Sequence, residues 1–173
     1  QVHHRCLGAL PALGTIVGVG LRSPLAQAVC FCMGERAAVP GHDVFTRGQR
    51  AHSAACLTEG KMSYSSARLE EPVEVRAVTW IAEPALWGSW MHVGTLLTVS
   101  VCEWLDLDEQ KFRETISQRA PRAMREALVY YAEMVERTVH SEIVLDIPIE
   151  QDLAHCQEMA NKAANKASGL HDA

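Results

Sequence analysis

Residues 40–64 read PGHDVFTRGQRAHSAACLTEGKMSY. Three glycines divide the stretch: Gly41, Gly48 seven residues on, and Gly60 twelve further. Between and after them lie short apolar runs, Val44-Phe45, Ala54–Leu57 and Lys61–Tyr64. Glycine reaches positive φ without steric cost, so each one marks a place where a strand reverses sharply. The same texture extends from residue 36 to residue 108, with VEVRAV at 73–78, TLLTVSV at 95–101 and EWLDL at 103–107. Gly, Pro and Asp interrupt these runs about every 8–12 residues, the spacing of an all-β sandwich or barrel.

The period changes at Asp108. DEQKFRETISQRA (108–120) is polar and helical, and Pro121 ends it. A second helix is predicted from Pro121 to Ile143. Its apolar stripe is Met124, Leu128, Tyr131, Val135 and Val139, so one face lies on something. Arg113, Arg119, Arg122, Arg125 and Arg137 alternate with Glu114, Glu126, Glu133 and Glu136, the pattern of a solvated helix face. IVLDIPIE (143–150) follows, and residues 146–173 read as a polar tail rich in Ala, Asn and Lys.

On the other side, residues 22–35 (RSPLAQAVCFCMGE) read as a short helix, with Ser23 as N-cap and Pro24 at the first position. Residues 1–21 form a poorly defined lead-in. Its apolar part, LGALPALGTIVGVGL (7–21), is shorter than the ~20 residues of a membrane span and holds Pro11 and four glycines. The chain opens on Gln1 and is expected to be cut from a larger protein.

Composition excludes several functions. Sixteen Lys and Arg against twenty-one Asp and Glu leave a net charge of −5, so no nucleic-acid partner is expected. The 48% of apolar residues suffices for a buried core. Six cysteines form no Cys-x-x-Cys pair. Cys30 and Cys32 on a helix would point to different faces, so they read as buried thiols, not metal ligands with His3 and His4. The sequence has no Gly-x-Ser-x-Gly, His-Glu-x-x-His, Walker loop or Gly-x-Gly-x-x-Gly, and no enzyme is expected. A cupin-like reading would need a His-x-His…Glu…His set, which is missing.

Pro40, Gly41, Val44, Phe45, Gly48, Ala51, Leu57, Gly60, Met62 and Tyr64 stand in an order and spacing that resemble the cyclic-nucleotide-binding domain family. WIAEPALW (80–87) resembles that family's Phe-Gly-Glu-Leu-Ala-Leu turn. HVGTLLTVSVCEWLDLDEQKF (92–112) resembles the run that begins with its phosphate-binding arginine. The resemblance covers about residues 22–145. It implies an eight-stranded jelly-roll barrel (about 36–108), short helices before it and two C-terminal helices after it (about 109–143). It also implies a regulatory role, in which ligand draws the last helix onto the barrel and the shift passes to a channel, kinase or exchange factor. EPALW-x-x-W with HVGTL most resembles domains of voltage-gated potassium-channel-like proteins of single-celled eukaryotes. That implies a place on the cytosolic side of a membrane protein, with the parent channel as partner and a homo-oligomer as its assembly. The alternatives are a cytoplasmic kinase regulatory domain and a ligand-independent assembly domain of the same fold.

In the family a glutamate accepts from the ribose 2′-hydroxyl, an arginine pairs with the phosphate, and backbone N–H groups aim at the same anion. Carried over by position, the cassette here is Ala82, Glu83, Pro84, Ala85, His92, Val93 and Gly94. Glu83 is kept. Ala82 stands where the family has glycine, Pro84 has no N–H to give, His92 replaces the arginine, and Val93 replaces a Ser or Thr. A hydrogen bond to a charged group is worth roughly 1.5–3 kcal/mol, so losing two or three costs on the order of 10³-fold in affinity. The expectation is weak binding of cyclic AMP or cyclic GMP, or none, with no cofactor and no metal. The docking helix would then be held by intrinsic contacts. Trp87 and Trp90 either cover the pocket mouth or pack against the C-terminal helices.

Overall fold

A computed structural model of the chain describes residues 2–18, 23–141, 144–148 and 150–169. Two four-stranded antiparallel sheets face each other. One has the order β1 (Met33–Ala38), β8 (Cys102–Asp108), β3 (Ser53–Glu59), β6 (Trp80–Ile81). The other has the order β2 (Asp43–Phe45), β7 (Gly94–Thr98), β4 (Lys61–Ser66), β5 (Val73–Arg76). Among the described residues no ladder joins the two sheets, so the jelly roll is an open sandwich and not the closed barrel expected. The first strand starts at Met33, inside the segment read as helix. The helix there, α2, is only Pro24–Cys30, with the Ser23 side chain accepting from Ala26 N at 3.4 Å as its N-cap.

The turn glycines behave as their spacing predicts. Gly41, Gly48 and Gly60 have φ of 85°, 84° and 89°. At Gly60 a Cβ would also collide with the Val101 carbonyl and with Cys102, which explains why the β3–β4 reversal carries no side chain.

Strand alternation divides the core in two. Ala54 and Cys56 of β3, with Leu105 and Leu107 of β8, face the helices. Ala55 and Leu57, with Cys102 and Trp104, face the second sheet. The helical layer on the first face consists of α1 (Val2–Ala9), a π-helical turn (Leu13–Gly18), α2, α3 (Pro84–Trp87), α4 (Glu109–Arg119), α5 (Arg122–Ser141) and α6 (Glu150–Gly169). The lead-in belongs to it: Cys6, Leu7, Leu10 and Leu13 are buried, and Trp80 Nε1 donates to Cys6 O at 2.7 Å.

Helix α4 is capped by Asp108, whose side chain accepts from Lys111 N at 2.8 Å, and stops at Ala120 before Pro121. On α5, Leu128, Tyr131 and Val135 are buried, as the stripe predicts. Arg122–Glu126 and Arg137–Glu133 are i,i+4 ion pairs on its outer face. Arg113 departs from that pattern. Its guanidinium donates to the carbonyls of Leu86, Ala85 and Gly88, clamping α4 to the end of α3. The 146–173 stretch, read as a polar tail, contains α6, whose Met159, Ala160 and Ala163 are buried against α5 and the lead-in. Small alanines let this helix pack closely, which a polarity count overlooks. The predicted end of α5 at Ile143 lies outside the described residues.

Candidate functional site

The cassette begins where β6 stops. Ala82 is buried at φ 57°, in the left-handed region that favours glycine. A glycine would take this conformation without steric cost. The strained turn aims the Ala82 N–H at the carbonyl of Asp146, 2.6 Å away. Ala85 N then bonds Ala82 O at 3.0 Å and starts the four-residue α3.

Glu83 turns away from the cradle. Its Oε1 accepts from Trp87 Nε1 at 3.1 Å and from the Tyr131 hydroxyl of α5 at 3.0 Å. Burial pushes its carboxyl above the usual range, against the pull of those two bonds. Trp87 meets Tyr131 and Phe112 edge-on at 5.0 and 5.5 Å, so this tryptophan packs against the C-terminal helices.

The predicted positions converge on a carboxylate of the chain itself. Asp146 lies in the segment between α5 and α6 and is 2% exposed. Its Oδ2 accepts from Val93 N at 2.9 Å, Gly94 N at 3.0 Å and the Tyr64 hydroxyl at 2.7 Å. Its Oδ1 faces Trp90 Nε1 at 2.7 Å and His92 Nδ1 at 2.8 Å. Burial alone would raise Asp146. The hydrogen bonds from His92, Trp90 and Tyr64 outweigh it and hold the carboxyl below its ordinary range. The same desolvation, with the Asp146 bond, pushes the Tyr64 phenol up.

The flanking residues hold the segment in place. Leu145 and Ile147 are buried in the inter-sheet core, Arg68 Nη1 donates to Val144 O at 3.1 Å, and the Asp146 N–H reaches the Tyr64 hydroxyl at 3.3 Å. The His92 ring stacks on Phe45 at 3.6 Å with 6° between planes. A Cβ on Gly94 would overlap the Tyr64 ring, so only glycine lets β7 come this close.

Of the seven predicted site residues, Ala82, His92, Val93 and Gly94 converge on Asp146. Pro84 and Ala85 shape the turn, and Glu83 is recruited to α5. Trp90, Tyr64 and Asp146 were not among the predicted set. The sequence shows Asp146 only as a lone acid between Val144-Leu145 and Ile147, a placement that fits a buried, hydrogen-bonded carboxylate but names no partner. Among the described residues no three His, Cys, Asp or Glu side chains are placed to hold a metal ion.

No protein-family model and no curated protein matches the chain. Solved structures do. The cyclic nucleotide-binding-like protein from Brucella abortus aligns over 68% of this chain and 100% of its own, at 17% identity and TM-score 0.55. The C-linker/CNBHD of zELK channels aligns over 61% of this chain and 63% of its own, at 11% and 0.50. Cyclic-AMP-bound PfPKA-R aligns over 92% of this chain and 45% of its own, at 12% and 0.53. The chain thus spans under two thirds of the channel and PfPKA-R chains. These likenesses establish the fold: it is that of cyclic-nucleotide-binding domains.

Proposed function

We propose that this chain is a non-catalytic regulatory domain of the cyclic-nucleotide-binding type whose anion cradle is occupied by its own Asp146. One observation carries the reading: five donors at or beside the phosphate-contact positions all end on one buried carboxylate of the same chain. A nucleotide phosphate entering this cradle must displace a carboxylate that is already fully bonded, together with the buried Leu145 and Ile147. The segment also continues into α6, and Glu83 ties the cassette to Tyr131 on α5. The position of the C-terminal helices is therefore set by an internal ligand. Such a domain serves assembly and mechanical coupling within a parent protein in preference to sensing cyclic AMP or cyclic GMP.

The finer reading places the domain on the cytosolic side of a voltage-gated channel, as part of a homo-oligomer. It is supported by the EPALW-x-x-W and HVGTL stretches and by the fold shared with the zELK channel domain. No helix among the described residues is long and apolar enough to cross a membrane, so the spans would lie in the rest of the parent. Six apolar spans upstream in the complete gene would support this placement, and a kinase catalytic domain there would replace it.

Calorimetry of the intact chain with cyclic AMP and cyclic GMP at neutral pH tests the main reading. We expect no saturable heat from either. A micromolar Kd for either one would overturn it.

A further inference from the structure

Beside the cradle, with His92 in its wall, the open sandwich holds a cavity of about 280 Å³ that opens to solvent. Its apolar floor includes Phe45, Ile81 and Trp104, and its mouth carries Arg36, His42, His52 and Ser53. The one carboxylate on its wall, Asp106, is already engaged: Trp104 Nε1 donates to one oxygen at 3.0 Å and Arg36 Nε to the other at 3.2 Å. The other nitrogens of Arg36 have no partner among the described residues. His52 lies 3.5 Å from Glu109, at the rim of α4.

The deepest polar group in the cavity is His92, which is 8% exposed. Its Nδ1 is spent on Asp146. Its Nε2 has no hydrogen-bond partner among the described residues. A buried ring nitrogen without a partner is rare enough to need an explanation. With a proton on it, Nε2 is a donor. It then joins Arg36, Ser53 and two further imidazoles in a pocket whose single acid is neutralised. Donors on every side, with the acid already bonded, select for an acceptor. The volume lies just under the range that takes drug-sized molecules, so the ligand is small.

We propose that this cavity binds a small oxyanion, a short-chain carboxylate or inorganic phosphate, on Arg36, His42, His52 and the Nε2 of His92. An oxyanion on Nε2 bonds the same ring whose Nδ1 faces Asp146 at 2.8 Å, and so fixes that ring's orientation towards the carboxylate. Occupancy of the outer cavity therefore tightens the seat of the internal segment, with His92 as the shared wall. The binding stands apart from the reading of the cradle; only this coupling rests on it.

The test uses the full chain with ¹⁵N-labelled histidine, titrated separately with inorganic phosphate, acetate and succinate at constant ionic strength. We expect a saturable displacement of the His92 Nε2 resonance in at least one arm, and the arm that responds identifies the oxyanion. The midpoint should weaken about tenfold or more in Arg36→Gln and in His42→Gln, both at exposed positions. The thermal midpoint should rise over the same concentrations, and this rise should vanish in both variants. Silence of Nε2 in all three arms, or midpoints unchanged by both substitutions, would overturn the proposal. Failure of the cradle reading looks different: cyclic AMP would then move the Val93 and Gly94 amides while Nε2 still answered to the small anion.

Discussion

His92 Nδ1 lies 2.8 Å from Asp146 Oδ1, and the pair is buried beside the start of β7. The position at which the sequence resemblance implies an arginine holds an imidazole, aimed at a carboxylate 54 residues along the same chain. It follows that the segment from Val144 to Pro148 is part of the core and not a linker.

Removing the carboxylate should be expensive. Asp146→Ala leaves five donors facing an empty site, and losing one partner of a buried charged network costs about 3–5 kcal/mol. Asp146→Asn keeps one accepting oxygen and should cost about 2 kcal/mol. Urea unfolding monitored by tryptophan fluorescence measures both. A loss under about 0.5 kcal/mol, the range of an ordinary surface substitution, would mean that the segment is not seated as described.

Acid should unseat the segment. A free aspartate titrates near ~3.9, and in the fold Asp146 lies below that. As pH falls, the unfolded chain takes up this proton first. The contribution of Asp146 is therefore complete above about pH 5, declines as pH drops through ~3.9 towards the folded pKa, and is absent below it. Glu83 has the opposite sign. Its folded pKa is raised, so it draws down stability as pH rises above ~4.3 until the folded carboxyl also ionises. The stability gap between wild type and Asp146→Asn should close on acidification, whereas Glu83→Gln should gain on wild type as pH rises. Urea midpoints at a series of pH values separate the two.

Ala82→Gly should stabilise the protein. Alanine at φ 57° carries a left-handed penalty of roughly 1–2 kcal/mol, partly offset by the larger unfolded-state entropy of glycine. The expected gain is about 0.5–1 kcal/mol, read as a higher thermal midpoint. A lower midpoint would show that the turn is not strained.

Gly94→Ala should have the reverse effect. The added Cβ meets the Tyr64 ring, whose hydroxyl is committed to Asp146 and cannot swing away. Overpacking of this kind costs about 1–3 kcal/mol. The near-ultraviolet circular dichroism of the aromatic cluster should weaken with it, and an unchanged spectrum and midpoint would contradict the packing.

Much of this was legible in the sequence. The glycine spacing at Gly41, Gly48 and Gly60 depends only on local backbone geometry, so it read out as turns. The α5 stripe did likewise, because burial of one helix face leaves a period. Closure of the barrel was not legible: it depends on whether short edge strands such as β2 and β6 find partners across the sandwich, a long-range matter. Spacing alone picked out Ala82, His92, Val93 and Gly94, which lie together around Asp146. The acid on which they meet was not legible. Asp146 meets His92 across 54 positions of chain and Tyr64 across 82, and no local pattern links them. Trp87 and Trp90 show the limit well. They are three residues apart and alike in type, yet one packs on α5 and the other donates into the cradle.

The most direct test is an NMR titration of the intact chain with cyclic AMP, following the backbone amides of Val93 and Gly94, which both donate to Asp146 Oδ2. With Asp146 in the cradle, both amides should stay unmoved by the nucleotide and shift together only when acid protonates Asp146 below pH ~3.9. A saturable displacement of the two amides by cyclic AMP at neutral pH would show that the cradle is open to an outside phosphate, and would contradict the account.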